Sequence, residues 1–330
     1  MEEPGKSESQ SGAGTAEAAG QRTEFITPVK RISDAEGLVE FQKSEAFRRI
    51  QDLISKLSLA VSLKKIPSSS SNEAVNRIIT LLDTLVRLID ETPPSTGPRR
   101  FGNVSFREWH RKLDAEGPKL IRNHLSKQCL SKGADIELVP YFLGAFGSGQ
   151  RLDFGTGHEL SFLAFVGGLL YTEELGDPTG EDLLLLFDRY FKVVQKLVET
   201  YTLEPAGSKG VWGLDDHFHI PYILGSAQIV DITKPDAPTP SLPPKSVLDK
   251  QIVKEQAPVN LYFSAIAFIY KVKHGHFHEH SPILYDVTGV TTWHKIHRGM
   301  IKMYLAEVLG KFPVVQHFVF GSLFPFEPAH

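Results

Sequence analysis

Apolar residues recur along this chain at steps of three and four, the spacing of a helix that buries one face. Ala46, Phe47, Ile50, Leu53, Ile54 and Leu57 form one such stripe. Val75, Ile78, Ile79, Leu82, Leu85, Val86 and Ile89 form a second, stopped by Pro93-Pro94 because proline lacks the N–H a helix needs. Ser70 and Glu73 have the spacing of a capping box ahead of it. A third stripe runs from Leu183 to Tyr201, with Thr179 and Asp182 as its cap. A fourth uses Met300, Ile301, Tyr304, Leu305, Val308 and Leu309 and ends before Pro313.

After Gly157 the pattern changes. Leu160, Phe162, Leu163, Phe165, Val166, Leu169 and Leu170 surround the helix axis instead of lining one face. That is the mark of a helix buried on all sides. Strand signals are few, and residues 314–320 are the main stretch that suits an extended chain. The pattern predicts an all-α fold, a single helical domain over 23–330 with long loops. Residues 1–22 are mostly Glu, Gly, Ser and Ala, with little to bury, which predicts a disordered tail. Residues 234–245 hold five prolines. They form an exposed excursion between helices and not a domain linker, because periodic segments resume at once.

Composition narrows the function. Thirty-six basic and 39 acidic residues give a net charge of −3, which argues against a nucleic-acid partner. The apolar runs at 160–170 and 259–270 are too short to span a bilayer, so no membrane is expected. The single cysteine, Cys129, has no partner for an intrachain disulfide. The N-terminus carries no apolar signal-peptide core. These features predict a reducing location, cytoplasm and nucleus, without separating the two.

Two polar, glycine-rich segments abut helices. In Arg151-Leu152-Asp153-Phe154-Gly155-Thr156-Gly157-His158-Glu159, the buried helix starts just after the glycines. A helix start offers free N–H groups and partial positive charge, small residues admit a phosphate, and Arg151 adds a bidentate contact. The same residues also suit a plain helix start, with Thr156 as N-cap and Arg151 on a surface carboxylate. The segment is not a Walker loop, a dinucleotide fingerprint or a zincin motif. The second segment runs from Glu204 through Gly207, Gly210, Trp212 and Gly213 to Asp215-Asp216. A carboxylate beside a backbone carbonyl and phosphate oxygens suits Mg²⁺, and Trp212 suits a proline-bearing peptide. An Asp-capped turn with Trp212 buried is the plain alternative. His274, His276, His278 and His280 alternate like metal ligands, but their spacing and Gly275 favour a solvated loop. No Ser/His/Asp or Cys/His arrangement is discernible.

Several uncommon strings, taken in order, resemble the phosphotyrosyl phosphatase activator family, the protein phosphatase 2A activators. They include Leu88-Ile89-Asp90-Glu91-Thr92-Pro93-Pro94, Arg99-Arg100-Phe101-Gly102-Asn103, Asp153-Phe154-Gly155-Thr156-Gly157-His158-Glu159, Glu204-Pro205-Ala206-Gly207-Ser208, Gly210-Val211-Trp212-Gly213-Leu214-Asp215-Asp216 and Phe312-Pro313-Val314-Val315-Gln316-His317-Phe318. The resemblance spans nearly everything from Phe25 to Pro325. It implies core, linker and lid parts around a deep cleft. It implies binding of ATP and Mg²⁺ with the phosphatase 2A catalytic subunit, which is helped to its active, metal-loaded form. It also implies peptidyl-prolyl cis/trans isomerase activity on a proline-containing peptide segment, and leaves room for a peptide-induced homodimer.

Matched position by position, Arg151, Thr156 and Gly157 correspond to the family's ATP-contacting residues, with Gln316 and His317 near the C-terminus. Gly210 and Asp216 correspond to its magnesium positions. Trp212 and Asp215 lie where the family lines its peptide cleft, which makes them the implied catalytic pair. In the histidine-rich stretch only Phe277, Glu279, His280 and Ser281 follow the family pattern, and the excursion at 234–245 follows none.

Overall fold

Local capping chemistry starts many of the helices. The Ser44 side chain accepts from the Phe47 N–H, Asn72 from Ala74 and Val75, Asn260 from Phe263, and Thr292 from Lys295. Each such cap satisfies an N–H left free at a helix start and contributes about 1 kcal/mol. Thr179 and Asp182 form the expected reciprocal box. The expected Ser70–Glu73 box does not form. Asn72 caps that helix, while the Ser70 hydroxyl reaches across to Asp182.

The computed structural model describes Met1 and residues 24–97, 101–207, 210–235, 237 and 241–329. The N-terminal tail, Arg99, Arg100, Ser208, Lys209 and part of the proline-rich excursion lie outside the described residues, as does residue 330. In chain order the elements are β1 (Val29–Lys30), α1 (Ala35–Gln42), α2 (Glu45–Val61), α3 (Glu73–Asp90), α4 (Ser105–His124), α5 (Lys127–Ser131), α6 (Asp135–Leu143) and β2 (Asp153–Phe154). There follow α7 (Thr156–Tyr171), α8 (Gly180–Tyr201), β3 (Glu204–Pro205), a 3₁₀ turn (Gly210–Trp212), α9 (Ile220–Ala227), α10 (Lys250–Gln256) and α11 (Leu261–Val272). The chain closes with α12 (Phe277–His280), α13 (Pro282–Val287), α14 (Trp293–Tyr304), a π turn (Leu305–Leu309), α15 (Phe312–Val315) and β4 (Val319–Phe320). The fold is all-α, and its few strands are two residues each.

The four predicted stripes are the buried faces of α2, α3, α8 and the α14–π turn. α7 is buried almost all round, as its composition predicts. It packs on α6 and sets Phe162 face to face on Tyr190 of α8, 3.7 Å between centroids. α8 in turn packs on α2 and α3, and α9 sits between α11 and α14. The segment 314–320, expected to be extended, is so only at Val319–Phe320, because its first residues complete α15.

The segments 26–30 and 319–323 are tied to each other and to the core. β4 pairs antiparallel with β1, Val29 opposite Phe320 and Lys30 opposite Val319. The buried Glu137 carboxylate of α6 accepts from the N–H groups of Ile26 (3.1 Å), Ser322 (2.8 Å) and Leu323 (2.8 Å). One carboxylate therefore holds both segments beside α6. Among the described residues no helix is long and apolar enough to cross a membrane.

Candidate functional site

The turn at 147–153 presents Arg151. Ser148 N–H donates to the Asp153 carbonyl at 2.9 Å and Leu152 N–H to the Ser148 carbonyl at 2.8 Å, which folds the chain back on itself. The fold-back puts Leu152 in the left-handed region, φ 58°, uncommon for a residue with a side chain. Leu152 is held there by burial and by its carbonyl, which accepts from the Glu204 N–H at 2.9 Å. Arg151 therefore projects from a fixed turn, and its Nε donates to Asp153 Oδ2 at 2.7 Å.

The two glycine-rich segments meet. β2 and β3 pair in parallel, Asp153 opposite Glu204 and Phe154 opposite Pro205. Gly155 precedes α7 as its N-cap residue, in extended backbone and without a side-chain cap, so Thr156 is the first residue of the helix and not its cap. Phe154 packs its ring against Phe218 at 5.7 Å and His158 at the same separation. The buried Glu159 carboxylate accepts from the N–H groups of His219 and Ile220, at the start of α9. Burial raises Glu159 to about 8 against the pull of those N–H groups. A carboxyl placed there pins the segment ending at Asp216 to the segment beginning at Arg151.

Arg151 and His317 line one hollow of about 460 Å³ with His158. Helix α4 also lines it, through Arg107, His110 and Arg111. His110 is held between the Asp114 carboxylate (3.2 Å) and the Gly147 carbonyl (3.0 Å). His158 places Nδ1 2.8 Å from the Gly144 carbonyl, and Nε2 is 4.0 Å from Asp153 Oδ1, a buried oxygen with no hydrogen-bond partner among the described residues. Burial lowers His158 to about 4, so the ring is neutral near pH 7. Burial, then the charges of Arg151 and Lys30, also lower His317. Thr156 and Gly157 are half-buried at the helix start, and Gly157 faces the Val314 carbonyl. Gln316 turns its amide toward the Pro313 carbonyl at 3.3 Å. None of these three lines the hollow.

The residues of the second segment lie apart from that lining. Trp212 is not buried; 81% of it is exposed, on the turn that packs on α13. Gly210 opens that turn at φ 54°, and its carbonyl accepts from the Gly213 N–H at 3.1 Å. Asp215 Oδ1 accepts from the N–H groups of His217 (2.8 Å) and Phe218 (3.2 Å), while Oδ2 takes the Tyr222 hydroxyl. Asp216 is half-buried and paired with Lys273 at 2.9 Å.

Lys273 also reaches the His280 carbonyl at 3.4 Å, so part of the histidine-rich stretch stands beside Asp216. The His276 and His278 rings stack at 5.7 Å, and His280 Nδ1 meets the Ser281 hydroxyl at 2.8 Å. Among the described residues no group of three His, Cys, Asp or Glu is placed to hold a metal ion. Burial, then Glu174, pushes the Cys129 thiol up to about 12, which leaves it inert as a nucleophile.

The α4 wall is what sequence reasoning missed. Phe106, Trp109, Leu113 and Ile121 carry helical spacing and are buried, and that signal was available. Nothing in the sequence placed Arg107 or His110 in one hollow with Arg151.

A model of the phosphotyrosyl phosphate activator (PTPA) protein family matches residues 28–326. The chain is 51% identical over 317 residues to serine/threonine-protein phosphatase 2A activator 1 of Yarrowia lipolytica, covering 92% of this chain and 72% of that one. It is 46% identical to the activator of the same name from Schizosaccharomyces pombe, covering 93% of each. A crystal structure of the PP2A phosphatase activator Ypa1 PTPA1 superposes with a TM-score of 0.83 at 44% identity, covering 92% of this chain and 96% of that one.

Proposed function

Because this chain belongs to the phosphotyrosyl phosphate activator family, we propose that it activates the catalytic subunit of protein phosphatase 2A through an ATP–Mg²⁺-dependent contact. The observation that carries the nucleotide part is the hollow itself. Arg151 and His317, 166 positions apart in sequence, share it beside the start of α7. Arginine forks suit phosphate oxygens.

The donor set for Mg²⁺ is sparse. It consists of the Asp216 carboxylate, which Lys273 already holds, and the Gly210 carbonyl. Such a set fits Mg²⁺ only when phosphates and water supply the remaining oxygens, as is common for this ion. Neither residue lines the hollow that holds Arg151, so Mg²⁺ bound there would neutralise only phosphate oxygens that extend beyond that hollow. The chain's own residues orient the anion and present the Trp212 turn to the partner.

An X–Pro bond rotates across a barrier of about 18–20 kcal/mol without making or breaking a bond, so an isomerase needs no nucleophile. Trp212 offers an exposed apolar face on which a prolyl segment can lose water. Asp215 supports a second reading. Its carboxylate already serves two N–H groups and a hydroxyl, which suits a part that shapes the turn more than one that acts on a substrate. Under that reading the protein is a nucleotide-dependent scaffold for the phosphatase, and isomerisation is incidental.

Calorimetry with ATP–Mg²⁺, with and without purified phosphatase catalytic subunit, tests the proposal. Binding that weakens in Arg151→Gln, with nucleotide-dependent activation that weakens in Asp216→Ala, supports it. Activation by the Asp216→Ala protein equal to wild type at limiting ATP removes the metal role.

A further inference from the structure

Three guanidinium groups line the hollow, and they are not equivalent. Arg111 donates through Nε and Nη2 to Glu108 at 2.9 and 2.7 Å. Arg151 donates through Nε to Asp153. Arg107, one turn before Arg111 on α4, has no carboxylate partner among the described residues. The one carboxylate in the lining, Asp114, is turned to His110. An anion arriving at Arg107 therefore displaces no existing ion pair.

We infer that Arg107 is a second phosphate-binding residue, and that the hollow lined by α4 and the 147–158 segment takes a polyphosphate held jointly by Arg107 and by Arg151 with His317. The inference rests on reading this hollow as the nucleotide site and names the part of the ligand that fills it. Each arginine presents a planar fork that matches phosphate oxygens. Asp153 holds the Nε edge of Arg151 and leaves its terminal nitrogens for a ligand. A volume of about 460 Å³ is that of a small-molecule site.

The test is calorimetric titration of the full chain with inorganic triphosphate, with ATP and with adenosine, each with Mg²⁺. The proteins are wild type, Arg107→Gln, Arg107→Lys and Arg151→Gln. Arg107 is exposed, and unchanged circular dichroism and melting would confirm that its variants fold. Loss of one charge-assisted fork should weaken triphosphate and ATP alike by about ten- to a hundredfold in Arg107→Gln. Arg107→Lys, which keeps charge without the fork, should fall between. Wild-type triphosphate and ATP binding in Arg107→Gln, alongside weakened binding in Arg151→Gln, overturns this inference and leaves the nucleotide reading standing. Triphosphate binding that depends on Arg107 while ATP binds no better than adenosine keeps the inference and ends the nucleotide reading. Failure of triphosphate to bind, or its replacement by a glutamate-rich peptide with the same Arg107 dependence, overturns the inference.

Discussion

Gly155 lies so close to Ala206 that a Cβ at position 155 would stand 2.8 Å from the Ala206 Cβ and 3.0 Å from its carbonyl oxygen. The backbone of Gly155 is extended, so the demand is for space and not for an unusual conformation. This contact is where the segment bearing Arg151 touches the segment bearing Trp212 and Asp216.

Gly155→Ala should therefore push β2 from β3 and cost about 1–3 kcal/mol, the range for overfilling a packed contact. Urea unfolding measures the loss. Hydrogen exchange should show faster opening of the Ala206 amide, which donates to the Phe154 carbonyl at 2.9 Å. A variant as stable as wild type, with that amide equally protected, would contradict the contact.

Asp215→Ala strips the acceptor from the buried Tyr222 hydroxyl and from two N–H groups. A loss of about 2–3 kcal/mol follows, since buried donors are left unpaired. In a cycle with Tyr222→Phe the two effects should fall short of additive by at least about 1 kcal/mol. Additive effects would mean that the hydroxyl and the carboxylate do not act as a unit.

Trp212→Ala should leave melting nearly unchanged, within about 0.5 kcal/mol, because the ring is mostly in solvent. Phosphatase binding should weaken by about 2 kcal/mol if the ring anchors the partner, a size typical of aromatic hot spots. Equal affinity of variant and wild type would take Trp212 out of the interface.

Stability should peak near pH 6.5. Burial raises Glu159 from its ordinary 4.5 to about 8, so its contribution is full below pH 4.5 and is lost as pH rises through 8. Burial lowers His158 and His219 from 6.5 to about 4, so their contribution is present above pH 6.5 and is lost as pH falls toward 4. Between 4.5 and 6.5 the two histidine protons outweigh the one carboxyl proton, and stability rises with pH. Above 6.5 only the Glu159 effect remains and stability falls. Melting of Glu159→Gln across pH 6–9 should lose that falling limb. A limb unchanged by the substitution would assign it to other groups.

Glu137→Ala should be among the most damaging single changes, at about 3 kcal/mol or more, since it leaves the N–H groups of Ile26, Ser322 and Leu323 unpaired. Exchange protection should fall around Ile26 and around Ser322 together. Loss at one place only would show that the carboxylate does not couple them.

How far the fold was legible follows from range. The stripes of α2, α3 and α8 and the Thr179–Asp182 box lie within a few residues of one another, and they appear where the spacing puts them. Ser70 failed as a cap because Asp182, far along the chain, claims its hydroxyl and Asn72 stands nearer the helix start. Helix α4 escaped notice because its many charges mask a thin apolar stripe. At the site, Arg151 and His317 share a hollow, while Trp212, Asp215 and Asp216 lie outside its lining.

By itself the sequence determined the helical stripes of α2, α3 and α8 and that α7 is buried all round. These follow from side-chain type and from the 3.6-residue period, which act over one or two turns. Tertiary structure alone decided the meeting of α4 with Arg151 in one hollow, the β1–β4 closure, and the partners of Glu137, Glu159 and Asp215. A buried carboxylate must find donors wherever the packed chain brings them, and those donors often stand far away in sequence. No local window contains that information.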